Sequence, residues 1–432
     1  MLRNFLLVGG ASAYAPGLVQ ALIQESERHD LELVRLYDID EGRLEIVEDL
    51  CSALVDHAGA PFRIEATTDQ RRAVQDIDLL LNSSRPGGFE ARHVDETLPL
   101  EFGIPGQETV GPGGFFFALR SIPAALDLAA DVERDAPDAI WLNYTNPTNL
   151  VAQALIDETE LDVIALCDQS DEDLRALADA LGYSSDVDYS FQCCGLNHAT
   201  WYRDIRIDGN ELDVDPTEIE APRYYDEEHK IRFRHSLSMA DNHRGWWPNS
   251  YLPYYTEPRD FVELARRVGT RTQAILEGLD DYYQHFETEA RRKSPALRHF
   301  RGSSGFGDMA ADTVAALSSQ SGAEIVLNVE NRGVSDAFSD DTVVEARVGI
   351  GADGLQRRSA PPVPTFARPL LDELERYQRN TASAAVSGNV GQLTEALASN
   401  PLVDDTMMAR DMIRRAPDAY GDALPQFRPH DS

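Results

Sequence analysis

The sequence is 432 residues long and carries 74 acidic side chains against 39 basic ones, a formal net charge of −35 at pH 7. This excess of negative charge excludes a protein that binds nucleic acid or an anionic membrane through a basic surface. Hydrophobic residues make up 42% of the chain and are spread along it, so the composition indicates a folded protein of two or three domains.

Lysine is almost absent: the sequence contains two lysines, Lys230 and Lys293, and 37 arginines. An acidic surface of this size repels itself in dilute buffer, whereas the Debye length of about 3 Å at about 1 M salt screens that repulsion. The composition therefore predicts a halophilic protein that works in molar salt. An ordinary acidic protein with an arginine bias is the alternative.

Four cysteines are too few to build a disulfide framework for a chain of this length. They are Cys51, Cys167, Cys193 and Cys194. The chain runs from its first residues straight into an apolar segment, and no apolar run reaches the roughly 18 residues of a membrane helix. We therefore expect a cytoplasmic protein without a membrane partner.

The N-terminal region reads as a strand, a tight turn and a helix. Residues 5–8 are a continuous apolar run, typical of a strand buried on both faces. Small residues follow at 9–12, and Pro16 suits the first turn of a helix. A second strand is predicted at 33–37 and ends at Asp38. Further strands are predicted at 77–81, 139–142 and 163–166, with helices at 119–134 and 170–181.

This alternation predicts an α/β fold with a doubly wound, Rossmann-type parallel sheet, which we assign to a domain at residues 1–190. Residues 191–432 read as a second, α+β domain for substrate, metal and subunit contacts. Its predicted elements are strands at 191–194, 200–202 and 324–329 and long helices over 259–290 and 308–318.

Residues 9–14 form an imperfect dinucleotide-binding fingerprint. In a strict G-x-G-x-x-G pattern starting at Gly9, the later glycines would fall at Ala11 and Tyr14. A pyrophosphate still fits the context, because small residues join a strand end to a helix N-terminus. Asp38 stands where a carboxylate could accept hydrogen bonds from the ribose hydroxyls of NAD. A strand–turn–helix without a ligand is the alternative. The candidate NAD-binding residues are Gly9, Gly10, Ser12, Tyr14, Asp38, Asn82 and Asn143.

An ordered series of short motifs resembles glycoside hydrolase family 4, the NAD- and metal-dependent glycosidases, and covers nearly the whole chain. The motifs are GGASAYAP at 9–16, ARHVDE at 91–96, PL at 99–100, GQETVGPGG at 106–114, NYTNP at 143–147, CD at 167–168, GLNH at 195–198, YLPYY at 251–255 and TR at 270–271. This family is an exception to glycoside hydrolysis by two carboxylates.

The resemblance implies a reaction in which NAD takes hydride from the sugar C3 hydroxyl and so acidifies the C2 proton. A base removes that proton, the C1 substituent leaves, water adds, and the hydride returns. The resemblance also implies that Cys167 and His198 hold Mn²⁺, which polarises the ketone. Spacing alone does not predict a metal site here, and a packing cysteine and a loop histidine are the alternatives.

Two further residues match the acid and the base of the family. Asp168 occupies the position of the general acid in members that act on α-glucosides, and an aspartate that opens the following helix is the alternative. Tyr251 lies 20 residues before Arg271, which matches the base. A phenol titrates near pH 10, so it needs positive charge nearby. Tyr254 is the other candidate for the base.

The resemblance places five residues in the sugar pocket. They are Arg92, Glu108, Asn146, Asn197 and Arg271. A guanidinium offers a bidentate fork, and an amide both donates to and accepts from hydroxyl groups. A salt bridge on a helix face for Arg92 and a role in a turn for Asn146 are the alternatives.

Two segments depart from the family pattern: Arg301-Gly302-Ser303, and residues 82–88. The predicted site contains no lysine, and the net negative charge disfavours a phosphate dianion. The sequence therefore favours a small, non-phosphorylated α-glycoside as substrate, with a phosphorylated, uronide or sulfosugar glycoside as the alternative. A dehydrogenase of the lactate or malate type, which shares the two-domain plan, and a catalytically silent NAD sensor are the competing functions. The resemblance further implies a homodimer or homotetramer.

Overall fold

A computed structural model describes residues 2–298, 304–319, 322–403 and 405–427. The Arg301-Gly302-Ser303 segment lies outside these residues. Among the described residues, no helix combines the length and the apolar character needed to cross a bilayer.

The first half of the chain alternates strands and helices around a parallel sheet. The strands are β1 (Asn4–Val8), β2 (Leu33–Tyr37), β3 (Arg63–Thr67), β4 (Leu79–Asn82), β5 (Ile140–Asn143) and β6 (Asp162–Ala165). The helices are α1 (Ala15–Gln24), α2 (Glu41–Ala58), α3 (Gln70–Ala73), α4 (Gly88–Glu101), α5 (Gly111–Asp135), α6 (Thr148–Glu158) and α7 (Gln169–Ala180). All four residues of β4 are buried, as expected of a strand covered by helices on both faces. The predicted α/β fold is confirmed.

The second half forms a small sheet and extends the first one. Its strands are β7 (Tyr189–Cys194), β8 (Trp201–Ile207), β9 (Asn210–Glu211), β10 (Trp247–Pro248), β11 (Ala323–Glu330), β12 (Val343–Gly351) and β13 (Gly354–Gln356). Strands β7 to β10 make the small antiparallel sheet, whereas β11 joins β6 and gives one nine-stranded sheet of order β13-β12-β11-β6-β5-β4-β1-β2-β3. The large sheet thus takes strands from both sides of residue 190.

Helices complete the second half. They are α8 (Glu227–Asn242), α9 (Pro253–Thr256), α10 (Pro258–Val268), α11 (Arg271–Ala290), α12 (Ser304–Ser318), α13 (Arg368–Ser387), α14 (Val390–Ala398) and α15 (Thr406–Tyr420). The helical region predicted at 259–290 is two helices, because Gly269 has a φ of +88° and Thr270 starts a capping box that opens α11.

One row of residues crosses the large sheet where its central strands end. Val8 lies opposite Asn82, Asn82 opposite Asn143, and Asn143 opposite Ala165. The carboxyl ends of parallel strands meet at one edge, which is where ligands bind in open α/β sheets. Predicted site residues that follow β1, β4, β5 and β6 are therefore gathered along this edge.

Candidate active site

Cys167 and His198 meet although 31 positions separate them. Cys167 follows β6, and His198 stands in the loop between β7 and β8 with a φ of +61°, which is uncommon for a residue with a side chain. The Cys167 Sγ lies 3.4 Å from the His198 Nε2. The Nδ1 of His198 lies 3.2 Å from the hydroxyl oxygen of Thr109, so the second ring nitrogen has a partner of its own.

The chemistry of this pair fits a divalent cation. Burial lowers the pKa of His198 to about 3, so its imidazole is neutral and can act as a ligand. Burial, Glu345 and Asp168 raise the pKa of the Cys167 thiol well above its usual range, so a thiolate needs a cation beside it. No group of three or more His, Cys, Asp and Glu side chains placed to hold a metal occurs in the described part of the chain.

The ring of Tyr251 packs directly against His198. The two ring centroids are 4.0 Å apart and the planes differ by 11°. The guanidinium carbon of Arg232 lies 4.0 Å from the centroid of the same phenol ring. Burial raises the pKa of Tyr251 to about 12, and Arg232 and Arg271 both act to lower it. Positive charge of the kind that a tyrosine base requires is therefore present.

Tyr254 is held differently from Tyr251. Its side chain is buried, its ring stacks on Phe261 at 4.0 Å, and its hydroxyl donates a hydrogen bond to Glu228 Oε1 at 2.5 Å. Tyr251 is half-buried, and its hydroxyl makes no hydrogen bond to any described residue. Tyr251 therefore has the phenol that is open to a substrate.

Asp168 immediately precedes α7, but its side chain does not cap that helix. It lines a cavity of about 260 Å³ together with carboxylates of α7, α12 and β11. Burial and the nearby Glu172 and Asp171 raise the pKa of Asp168 to about 7. A carboxyl with such a pKa can donate a proton near neutral pH.

A second cavity, of about 360 Å³, is lined by Arg92, Glu108, Tyr254 and Arg271. Arg92 is buried and bonded to two carboxylates: its Nε lies 2.9 Å from Glu96 Oε1, and its terminal nitrogen 3.0 Å from Glu108. Arg271 is half-exposed and lies 4.0 Å from Asp226. Three predicted pocket residues thus share one cavity. Arg92 also forms a salt bridge with Glu96 on the face of α4, which was the alternative role given for it.

The other two predicted pocket residues lie on loops near the row of strand ends. Asn146 is half-buried, and its carbonyl accepts a hydrogen bond from Ser121 Oγ at 3.0 Å. Asn197 precedes His198 and donates from Nδ2 to Glu345 Oε2 at 2.8 Å.

The turn at residues 9–12 fits a dinucleotide. A Cβ on Gly10 would lie 2.8 Å from Leu36 Cβ, so glycine lets the turn pack against β2. Asp38 accepts hydrogen bonds from the Ala11 and Asp40 amides and so holds the turn closed. Ser12 is half-buried in the turn that precedes α1. Tyr14 packs against Phe306 with ring centroids 5.0 Å apart.

Asn82 and Asn143 stand side by side at the strand ends. Asn82 Oδ1 accepts hydrogen bonds from the Ser84 amide and hydroxyl. The Nδ2 of Asn143 donates to the Thr145 carbonyl and the Thr148 hydroxyl, while its fully buried Oδ1 has no partner among the described residues. Buried polar atoms are nearly always hydrogen-bonded, so this unpartnered acceptor is consistent with a ligand at this edge.

Several site residues were missed by the sequence analysis. Arg232 lies within a charged helix, a pattern that normally marks a solvent-exposed face. Arg85 belongs to the departing segment 82–88 and bonds to Glu108. Glu345 lies on an apolar strand far along the chain, and Thr109 is within a quoted motif that gave it no role.

Family models match the chain over most of its length. A family 4 glycosyl hydrolase model matches residues 5–182, and the model of the family's C-terminal domain matches residues 193–403. The chain therefore belongs to family 4 of the glycosyl hydrolases, and it is a glycoside hydrolase.

Curated relatives share the whole length of the chain. A probable 6-phospho-beta-glucosidase from Bacillus subtilis is 30% identical, with 98% of each chain covered. A 6-phospho-alpha-glucosidase from Lacticaseibacillus paracasei is 28% identical and covers 98% of this chain and 99% of its own.

Solved structures share the fold. A 6-phospho-alpha-glucosidase from gut microorganisms, solved in complex with NAD and Mn²⁺, has a TM-score of 0.89 at 24% identity and covers 99% of this chain and 100% of its own. A malate dehydrogenase from Plasmodium falciparum has a TM-score of 0.51 at 11% identity, with 89% and 99% covered. The dehydrogenase likeness therefore concerns the fold alone.

Proposed function

We propose that this chain cleaves a small glycoside with bound NAD and Mn²⁺. The observation that carries the proposal is the cluster of Cys167, His198 and Tyr251, in which a thiol and a neutral imidazole lie 3.4 Å apart beside an open phenol. The similar gut-microbial glucosidase solved with NAD and Mn²⁺ supports the choice of cofactors. A thiolate and an imidazole also suit softer divalent cations, so Co²⁺ and Zn²⁺ belong in the same tests.

NAD would supply reversible hydride transfer at the sugar C3, and Mn²⁺, held by Cys167 and His198, would polarise the C2 and C3 oxygens. Tyr251 removes the C2 proton, and the positive charge of Arg232 and Arg271 favours its phenolate form. Asp168 donates a proton to the departing C1 oxygen. Tyr254 is a packing residue, since its hydroxyl is committed to Glu228.

The binding of the cofactor and of the sugar follows the same assignments. The turn from Gly9 to Tyr14, together with Asp38, Asn82 and Asn143, binds NAD. Arg92, Glu108, Asn146, Asn197 and Arg271 bind the sugar hydroxyls.

The charge of the two cavities favours a sugar without phosphate. Five carboxylates and two guanidiniums line the cavity that contains Arg92 and Arg271. Seven carboxyl groups and two guanidiniums line the cavity beside Asp168. A phosphate dianion would be repelled by both linings. Together with an aspartate at position 168, this supports a non-phosphorylated α-glycoside.

A 6-phosphoglycoside is the second candidate substrate. It is favoured by the relatives, which are named 6-phospho-alpha- and 6-phospho-beta-glucosidases. The two candidates call for different charges at the sugar C6, so a matched pair of substrates separates them.

The deciding assay uses nitrophenyl α- and β-glucosides and galactosides, each with and without a 6-phosphate. The protein is purified under reducing conditions in molar salt and assayed with NAD and Mn²⁺. We expect kcat/KM to be at least tenfold higher for an α-glycoside without phosphate than for its phosphorylated counterpart. The reverse ratio would favour the second candidate, and no cleavage of any glycoside would contradict the proposal as a whole.

We also propose a halophilic, cytoplasmic setting and a homodimer or homotetramer. The net charge of −35 supports the halophilic setting, and four cysteines that form no disulfide support the cytoplasmic one. The oligomer rests on the resemblance to the family. The division into an NAD-binding domain at 1–190 and a substrate domain at 191–432 stays a proposal, supported by the two family models, which match residues 5–182 and 193–403.

A further inference from the structure

A buried carboxylate is hydrogen-bonded to the loop that carries His198. Glu345 is on β12 and is 1% exposed. Its Oε1 accepts a hydrogen bond of 2.6 Å from Ser170 Oγ, and its Oε2 accepts one of 2.8 Å from Asn197 Nδ2. Its own amide donates to the Gly195 carbonyl at 3.0 Å, at the start of the loop that carries His198.

Glu345 forms no ion pair within the described ranges, and burial raises the pKa of its carboxyl group. Two other buried carboxylates differ: Asp95 pairs with Arg120 at 2.6 Å, and Glu96 pairs with Arg92 at 2.9 Å. An ionised carboxylate buried without a counter-charge is strongly unfavourable. Its hydrogen-bond donors offset part of that cost, and a cation nearby would offset more.

Glu345 is connected to the loop that carries His198 through one side chain and one backbone contact. Asn197 Nδ2 donates to Glu345 Oε2 at 2.8 Å, and the Glu345 amide donates to the Gly195 carbonyl. Asn197 directly precedes His198, so its orientation affects the position of that ligand.

We propose that Glu345 is the positioning residue of the metal centre and balances its charge. One divalent cation offsets one thiolate and one carboxylate, while Glu345 holds Asn197 and, with it, the loop that carries His198. Outer-shell carboxylates that orient ligands usually change metal affinity by about 10- to 100-fold when they are removed. The inference rests on the proposed metal dependence, and it adds a residue that neither touches the cation nor reacts.

The test compares the wild-type protein with Glu345→Gln, Glu345→Asp and the control Glu289→Gln. Glu289, on α11, is also buried, at 2% exposed, but it pairs with Arg292 just after that helix. The Kd for Mn²⁺ is measured directly by electron paramagnetic resonance of the free ion, without NAD or substrate. The rise in unfolding temperature on adding Mn²⁺ is measured on the same samples.

We expect the Kd to rise about 10- to 100-fold in Glu345→Gln, to rise less in Glu345→Asp, and to stay within twofold in Glu289→Gln. The Mn²⁺-induced rise in unfolding temperature should shrink in the same order. A role confined to packing would lower the unfolding temperature equally with and without Mn²⁺ and leave the Kd unchanged. That result would overturn the inference while the proposed function stands.

If wild-type protein binds no Mn²⁺, both the inference and the proposed metal dependence fail. If Glu345→Gln does not accumulate as folded protein, Asn197→Ala breaks the same connection from its other end. It is expected to weaken Mn²⁺ binding at least fivefold, and a Kd within twofold of wild type would equally overturn the inference.

Discussion

The imidazole of His198 lies flat against the phenol of Tyr251, with 4.0 Å between the ring centroids and 11° between the planes. The stack joins a proposed metal ligand to the proposed base across 53 residues of chain. Because the Nε2 of the same imidazole faces Cys167, a proton removed by Tyr251 would come from an atom close to the cation. The account of catalysis depends on this arrangement.

Tyr251→Phe should lower kcat by about 10²- to 10⁴-fold, the usual contribution of a general base. The ring that stacks on His198 remains, so the Kd for Mn²⁺ should stay within twofold. Steady-state kinetics on a cleaved nitrophenyl glycoside, together with Mn²⁺ binding, check both statements.

Tyr254→Phe is the matched control for that substitution. It removes the hydrogen bond to Glu228 and should cost about 1 kcal/mol of unfolding free energy while leaving kcat within threefold. A loss of activity in Tyr254→Phe together with an active Tyr251→Phe would exchange the two assignments.

Cys167→Ser should abolish Mn²⁺ binding and metal-dependent cleavage with the fold retained, because a hydroxyl does not ionise to replace the thiolate. Cys51→Ser is the control, since Cys51 is also buried but lies in α2, remote from the site. Circular dichroism checks the fold, and Mn²⁺ titration checks binding. Near-normal Mn²⁺ affinity in Cys167→Ser would remove this residue from the metal centre.

Arg232→Met should destabilise the protein by about 3 kcal/mol or more, because it leaves the nearby buried Asp173 without that cation. It should also lower kcat, since the guanidinium bonds to Ser250 and lies over Tyr251. Arg234→Met, on the exposed face of the same helix, should change stability by less than about 0.5 kcal/mol. Urea unfolding of both variants measures the difference, and equal effects would contradict the role given to Arg232.

Salt should stabilise the protein strongly. At a net charge of −35 the acidic side chains repel one another and destabilise the compact state in dilute buffer. About 1 M KCl reduces the Debye length to about 3 Å and screens this repulsion. We expect the unfolding temperature to be clearly higher in molar KCl than in buffer of low ionic strength. Equal unfolding temperatures in molar KCl and in buffer of low ionic strength would contradict the proposal that the protein is halophilic.

Much of the N-terminal half could be predicted from sequence, because its buried strands are apolar runs bounded by small residues. The strand predicted at 33–37 is β2 to the residue. By contrast, β3 was missed, since four of its five residues are half-buried and the pattern Arg-Ile-Glu-Ala-Thr has no apolar run. Strands β11 to β13 could not be assigned to the large sheet, because pairing between β6 and β11 depends on tertiary contacts.

Site residues that belong to a motif could be predicted from sequence. Residues that only tertiary contacts bring into the site could not. Cys167 and His198 were named through a resemblance, and their 3.4 Å contact could not follow from a spacing of 31 residues. The choice between Tyr251 and Tyr254 stayed open, because only the structure shows which hydroxyl is bonded to Glu228. Glu345 carries no sequence signal beyond a single acidic residue in an apolar strand.

The most direct test of the central claim is the hydrogen at the sugar C2 during turnover in deuterated solvent. If the chain oxidises C3 and then removes the C2 proton, product sugar should carry deuterium at C2, and both its formation and the label should require NAD and Mn²⁺. Glycoside cleavage without deuterium at C2, undiminished after NAD removal and chelation, would contradict the account.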